Sequence, residues 1–233
     1  MSKGKRLYEV TYDGELYNLN TVSTVTGCAM KYALLYFYGK YGNKKAKQIA
    51  NDAAQVGKDT HAYTEAFFKN LKTITYVGDV NKIRNCVANF KLLVKKYKLK
   101  PLNINSDLAL EVMVYSIKHK FAGTFDGLFE GINPKTKKHM VVLLDWKTSS
   151  GIWDDYYLQI EGYYRALTEM VERGIIKLEG KIDELWIARL DKEEQIDFDR
   201  DIRILIPGNE DRFKAFLGLL DYLIWTQLKK ERK

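Results

Sequence analysis

The residues able to do chemistry gather in two short stretches, Gly123-Thr124-Phe125-Asp126-Gly127 and Val141-Val142-Leu143-Leu144-Asp145-Trp146-Lys147-Thr148. Both are apolar runs bounded by turn residues, the pattern of short strands. Between them lies the polar segment Gly131 to Lys138, whose Asn133-Pro134 marks a turn, so the two stretches form an antiparallel hairpin. A turn centred near Lys135 and Thr136 sets Asp126 opposite Asp145, and directly opposed side chains have Cβ atoms roughly 4.5–5.5 Å apart. Two carboxylates at that distance repel unless a cation lies between them. Strand alternation puts Asp145 and Lys147 on one face and Trp146 on the other. The hairpin thus gathers two acids and an ammonium on an apolar scaffold, where each uncompensated ion costs several kcal/mol, on the order estimated for desolvated charges. The hairpin alone also fits a local Asp145–Lys147 ion pair at a strand end, with Asp126 facing solvent.

Several elements have to position this group. Residues 44–70 read as a long helix in which steps of three and four pick out Ala50, Ala54, Gly57, His61, Glu65 and Phe68. The small residues allow close approach of another element and turn His61 inward. A histidine there fits a core position, hydrogen-bonded to Glu65 one turn on, as well as a metal ligand. Upstream, Tyr8–Tyr12 and Leu16–Leu19 read as a hairpin and Thr21–Gly27 as a loop or cap. A helix from about Cys28 to Tyr38 is expected to place Tyr32, Leu35, Tyr36 and Phe37 in the core.

Residues 79–98 form an amphipathic helix stopped by Pro101. Leu108–Tyr115 is a strand joined to Gly123–Glu130 through a turn at Lys118–Lys120. Glu111 interrupts that strand and fits either a place near the site or a solvated edge. After the polar loop Thr148-Ser149-Ser150-Gly151, a helix over about Asp155–Arg173 puts Gln159 and Tyr163 on one face. Tyr163 suits core packing as well as the site. Strands at 183–190 and 199–206 and a helix over about Glu210–Lys229 complete the chain.

With 233 residues, 46% of them hydrophobic, the chain can bury a full core. Its net charge is +8, and the lysines cluster at 44–47, 95–100, 118–120, 135–138 and in the tail from Lys229 to Lys233. The tail reads as a solvated basic run. The other clusters, interleaved with tyrosine, suit a polyanion such as nucleic acid. Cys28 and Cys86 have no zinc-type spacing and read as free thiols in a reducing compartment. No stretch has the form of a signal peptide or a membrane span, which points to the cytoplasm and to no membrane partner.

Taken in order, Gly57-Lys58-Asp59-Thr60-His61, Gly123-Thr124-Phe125-Asp126, Asp145-Trp146-Lys147-Thr148-Ser149 and Gln159-Ile160-Glu161-Gly162-Tyr163 resemble the PD-(D/E)XK nuclease superfamily in its RecB-like branch. That branch includes bacterial recombination nucleases, CRISPR adaptation nucleases, phage exonucleases and mitochondrial genome maintenance exonucleases. The resemblance spans about residues 20–170 and is nearest the phage and mitochondrial members. It implies an α/β (α+β) restriction-endonuclease-like core, a central mixed sheet flanked by helices, with an N-terminal helical part. Residues 1–233 would form one nuclease domain, with His61 in the hairpin and helical part (1–105) and the catalytic hairpin in the core sheet (106–233).

It further implies Asp126, Asp145 and Lys147 as catalytic residues. His61, Asp126, Asp145 and the Trp146 backbone carbonyl would be metal ligands. Gln159, Tyr163, Thr148 and Ser149 would position the site and the strand, with Glu65 and Glu111 as supporting acids. Carboxylate ligands with a single imidazole suit Mg²⁺ or Mn²⁺. The implied activity is metal-dependent hydrolysis of DNA phosphodiesters, most of all by an exonuclease on single-stranded or frayed ends, beside recombination or replication proteins. A structure-specific endonuclease and an inactive nucleic-acid-binding protein of the same fold are the alternatives. Asp145 stands where many members of the superfamily carry Glu, though Asp is common in this branch. Two cysteines cannot hold the four-cysteine iron–sulfur cluster of some relatives, so no such cluster is expected.

Overall fold

The computed structural model describes residues 7–71 and 75–231, so Lys5 and Arg6 of the opening stretch and Arg232 and Lys233 of the basic tail lie outside it. Strands β1 (Leu7–Tyr12) and β2 (Glu15–Thr21) pair antiparallel through a two-residue turn. Both turn residues, Asp13 and Gly14, have positive φ (50° and 78°), as the Asp-Gly hairpin turn requires. Thr21 then caps α1 (Val22–Thr26) by accepting the Thr24 N–H at 3.0 Å. The expected loop or cap at 21–27 is therefore a cap that starts a short helix.

Helix α2 (Tyr32–Phe68) is broken at Gly42, whose φ of 70° and ψ of 157° are not helical. This break separates the two helices read from the sequence. The expectation that the first of them packs into the core is corrected. Tyr32, Leu35 and Tyr36 are 76%, 62% and 74% exposed, and Phe37 is half-buried. The buried residues of α2 begin only at Ala46, beyond the break. An apolar periodicity marks a face without saying whether anything covers it.

Helix α3 (Val80–Tyr97) is capped by Asp79, which accepts the Asn81 and Lys82 N–H groups. Short strands β3 (Lys100–Pro101), β4 (Asn103–Ile104) and β5 (Asp107–Leu108) lead to the meander β6 (Leu110–Ser116), β7 (Phe121–Ile132) and β8 (His139–Lys147). Helix α4 (Asp154–Glu172), β9 (Glu184–Arg189), β10 (Ile202–Leu205) and α5 (Glu210–Glu231) follow.

The main sheet runs β1-β2-β7-β8-β9-β10, with β3 and β6 also paired to β7. It is mixed, because β2–β7 and β8–β9 are parallel and the other pairs antiparallel. This is the expected central mixed sheet flanked by helices. On one face Leu143, Leu185 and Ile187 pack with Val22 of α1, Ile160 and Tyr163 of α4 and Phe216 of α5. On the other, Val142, Leu144 and Trp146 pack with Val56 of α2 and with Phe90 and Leu93 of α3. The alternating side chains of β8 thus feed two cores, one on each face of the sheet. No helix among the described residues is long and apolar enough to cross a membrane.

Candidate active site

The β7–β8 register pairs Gly127 with Leu144 and Ile132 with His139. One further step along that register lies Asp126 opposite Asp145, as the turn position required. The ladder stops short of this pair. There the Asp126 carboxylate, through Oδ2, accepts the Trp146 N–H at 2.7 Å. On the other side of β7, Leu110 pairs with Gly127 and Val112 with Phe125. Glu111 is therefore the residue across from Asp126 on β6, and it has left the extended conformation with φ of 50°.

The strands change face at this point. Phe125 and Leu128 share one core although they are three residues apart, while Leu110 and Val114, four apart, lie in different cores. Regular alternation forbids both. The central strands therefore carry a seam, and Glu111, Asp126 and Asp145 sit side by side along it on three adjacent strands. A left-handed conformation costs a non-glycine residue roughly 1–2 kcal/mol, which makes Glu111 a strained residue at a cluster of charge. Glu111→Gly relieves that strain but loses the His61 contact and adds backbone freedom to the unfolded chain, so stability should change by less than about 1 kcal/mol while Mn²⁺ binding weakens; urea unfolding and calorimetry on the same variant read the two effects.

Helix α2 delivers His61 to the seam. Its Nδ1 is 3.2 Å from Asp126 Oδ1 and 3.5 Å from Glu111 Oε1. One ligand atom from each of these three residues lies within 4.8 Å of the other two. Burial disfavours the charged imidazole, but Asp126 and Glu111 outweigh it and push the His61 pKa up to about 10. His61 is a third exposed and faces a cleft of about 280 Å³ lined by Ala53, Ala54, Lys147, Thr148 and Lys192. Its hydrogen-bond partner is not Glu65, which pairs with Lys69 at 2.6 Å one turn on. Exposed lysine within reach along the helix draws Glu65 away from the seam.

Asp145 and Lys147 lie on the α4 face and Trp146 on the α2–α3 face, as alternation dictates. Asp145 is 2% exposed, and the Lys147 ammonium holds its Oδ2 at 2.5 Å in a buried ion pair. Burial pushes the Asp145 pKa up to about 6 against the pull of Lys147. Burial would lower the pKa of Lys147, but Asp145 and Asp126 hold it above the ordinary lysine value, so Lys147 keeps its proton. The Trp146 ring is buried against Phe90 and Phe129 and anchors β8.

Gln159 and Tyr163 bond to each other, the amide nitrogen donating to the phenol oxygen at 2.7 Å. Tyr163 is buried, and its ring explains Gly123, three residues before Asp126. A Cβ on Gly123 would lie 2.5 Å from Tyr163 Cε1 and 3.0 Å from Val22 Cγ2. Gly123→Ala should therefore destabilise the protein by about 1–3 kcal/mol through overpacking, measurable as a lower urea midpoint. Gly57 has a similar part, since a Cβ there would meet Thr148 Oγ1 at 3.1 Å. The Ser149 hydroxyl donates to the Gly151 carbonyl at 2.7 Å and shapes the loop leaving β8.

Three neighbours of the site, Tyr156, Lys31 and Lys192, carried no assignment from the sequence. Tyr156 has its ring 5.1 Å from Lys147 Nζ, and Lys31 pairs with Asp155 at 2.6 Å. Tyr156 lies one turn before Gln159 on α4, which was the available signal. Lys31 carried none, because its partner is distant in sequence. Lys192, in the turn after β9, also reaches the cleft.

No family model and no curated protein sequence matches this chain. Among solved structures, the chain is similar to an alkaline exonuclease (LHK-Exo) from Laribacter hongkongensis. The two share 13% identity over 91% of this chain and 93% of that one, with a TM-score of 0.36.

Proposed function

We propose that this chain is a metal-dependent nuclease that hydrolyses DNA phosphodiester bonds, acting as an exonuclease on single-stranded or frayed ends in recombination, repair or replication. The observation that carries this reading is the seam, where His61 meets Asp126 and Glu111 and where Asp145, one register step on, is paired with Lys147, which lines the same cleft as His61. The donor set fits a hard divalent cation, Mg²⁺ or Mn²⁺. One ligand atom each from His61, Glu111 and Asp126 lies within 4.8 Å of the others, a spacing that such an ion can bridge. His61, Asp126, Asp145 and the Trp146 carbonyl would hold the ion, with Glu111 beside them. When bound, such an ion acidifies water and offsets charge on a phosphate.

The chain's own groups do the rest. Lys147, held protonated, is not a base; it presents a fixed positive charge where negative charge grows on the phosphoryl oxygens. The Asp126–Trp146 N–H bond locks the two acid-bearing strands in register. Gln159 and Tyr163 brace the α4 side, and Thr148 and Ser149 shape the cleft edge along which a strand would lie. The net charge of +8 favours approach of a polyanion.

The test uses end-labelled linear and circular single-stranded DNA with Mg²⁺, Mn²⁺ or EDTA. Metal-dependent loss of the linear strand alone is the expected result, and the label position gives polarity. Cutting of the circle would identify an endonuclease. Binding without cleavage under every metal condition would refute the catalytic reading.

A further inference from the structure

The first part of α2, before the Gly42 break, carries a row of uncovered aromatic and apolar side chains. Tyr32 and Tyr36 are 76% and 74% exposed, and they share a helical stripe with Lys40 at steps of four. Around the bend, the ammonium groups of Lys40 and Lys45 lie 5.2 and 5.7 Å from the Tyr41 ring centroid. No Asp or Glu occurs between Glu15 and Asp52, while Lys31, Lys40, Lys44, Lys45 and Lys47 all fall in that interval. The root of this arm is tied to the site, because Lys31 pairs with Asp155 and the adjacent Tyr156 stands over Lys147.

We infer that this arm is a stacking platform for single-stranded DNA, holding unpaired bases on the rings of Tyr32 and Tyr36 and phosphates at Lys40, Lys44 and Lys45. This rests on the nuclease reading for its role, supplying the cleft with a strand, but not for its chemistry. Exposed aromatic faces interleaved with lysine and free of acidic residues complement a polyanion whose base faces are bare. In a duplex those faces are covered by neighbouring bases. Rings four residues apart on a helix are about 6 Å apart along its axis, wider than the ~3.4 Å step of stacked bases. The platform therefore takes an unstacked strand. A protein partner matching Tyr32 and Leu35 alone would not account for an interval that carries cations and no anion.

The experiment measures binding of a fluorescent dT20 oligonucleotide to the full chain in EDTA at fixed salt. Tyr32→Ala/Tyr36→Ala should weaken binding at least about thirtyfold, as expected for losing two stacking contacts, and leave the melting temperature unchanged. Tyr32→Phe/Tyr36→Phe should retain wild-type affinity, Tyr32→Leu/Tyr36→Leu should not, and binding of a blunt duplex should be the same in all. Wild-type dT20 affinity in the alanine or the leucine pair overturns the inference. So does a drop in binding accompanied by a lower sedimentation coefficient, which would make the arm a contact between copies of this chain. If the alanine pair loses dT20 binding while the wild type cleaves nothing with any metal, the platform stands and the nuclease reading falls. If the wild type cleaves and the alanine pair binds normally, the platform alone falls.

Discussion

Lys147→Ala should lower the rate of DNA cleavage at least about a hundredfold, the loss typical of removing one group that stabilises transition-state charge. Its effect on stability should depend on pH. The substitution leaves the buried Asp145 without its nearest cation, and an unpaired buried charge is strongly destabilising. Asp145 already titrates at about 6, above its ordinary 3.8. A carboxyl with a raised folded pKa favours the folded state only while it is protonated, and that contribution falls as pH rises from the unfolded value through the folded one. In the wild type the fall should end near pH 6. In Lys147→Ala, with the lysine's pull gone, it should continue to higher pH. The variant should therefore be least impaired near pH 4 and increasingly so toward pH 8, as read by urea unfolding across that range. Asp145→Asn/Lys147→Met removes both charges and should recover stability without recovering cleavage. If the double variant is no more stable than Lys147→Ala at pH 8, the two groups are not coupled as the 2.5 Å approach indicates.

The hairpin register was legible because it follows from the turn centre and a two-residue period, and the Gly127–Leu144 pairing agrees with it. The faces of Asp145, Trp146 and Lys147 follow from the same period. The seam was not legible. It consists of a change of face shared by β6 and β7, and a single strand's alternation carries no trace of its neighbour's. Glu111 consequently read as equally suited to a site or an edge; its place depends on a backbone conformation that Glu rarely adopts. Gly123 and Gly57 were visible as glycines, but the atoms that exclude a side chain there belong to α4 and α1 and to the loop after β8. The arm before Gly42 shows the converse limit. Its apolar residues have a core-like pattern, and whether another element covers them is decided by tertiary contacts outside the helix.

The second large effect concerns His61 and Asp126. With its pKa at about 10, His61 is protonated at neutral pH in the metal-free protein, and an imidazolium cannot ligate a metal. Binding of Mn²⁺ at pH 7 should therefore release about one proton, seen in calorimetry as a heat that varies with the ionisation enthalpy of the buffer. Apparent affinity should rise about tenfold per pH unit between pH 6 and 10, and more steeply below pH 6, where Asp145 also holds a proton. The same shift links to folding. A raised histidine pKa contributes stability that is fully present below its unfolded value of 6.5 and is lost as pH rises through about 10. Asp126→Asn should act on both properties. The amide oxygen can still accept the Trp146 N–H, so the strand register should persist. The charge that holds the His61 proton is gone, so its pKa should fall toward the ordinary value. Mn²⁺ affinity should drop at least about tenfold through loss of an anionic ligand, and proton release at pH 7 should shrink well below one. An unchanged affinity would remove Asp126 from the metal site. An unchanged proton release alongside weakened binding would mean that Glu111, not Asp126, sets the charge state of His61.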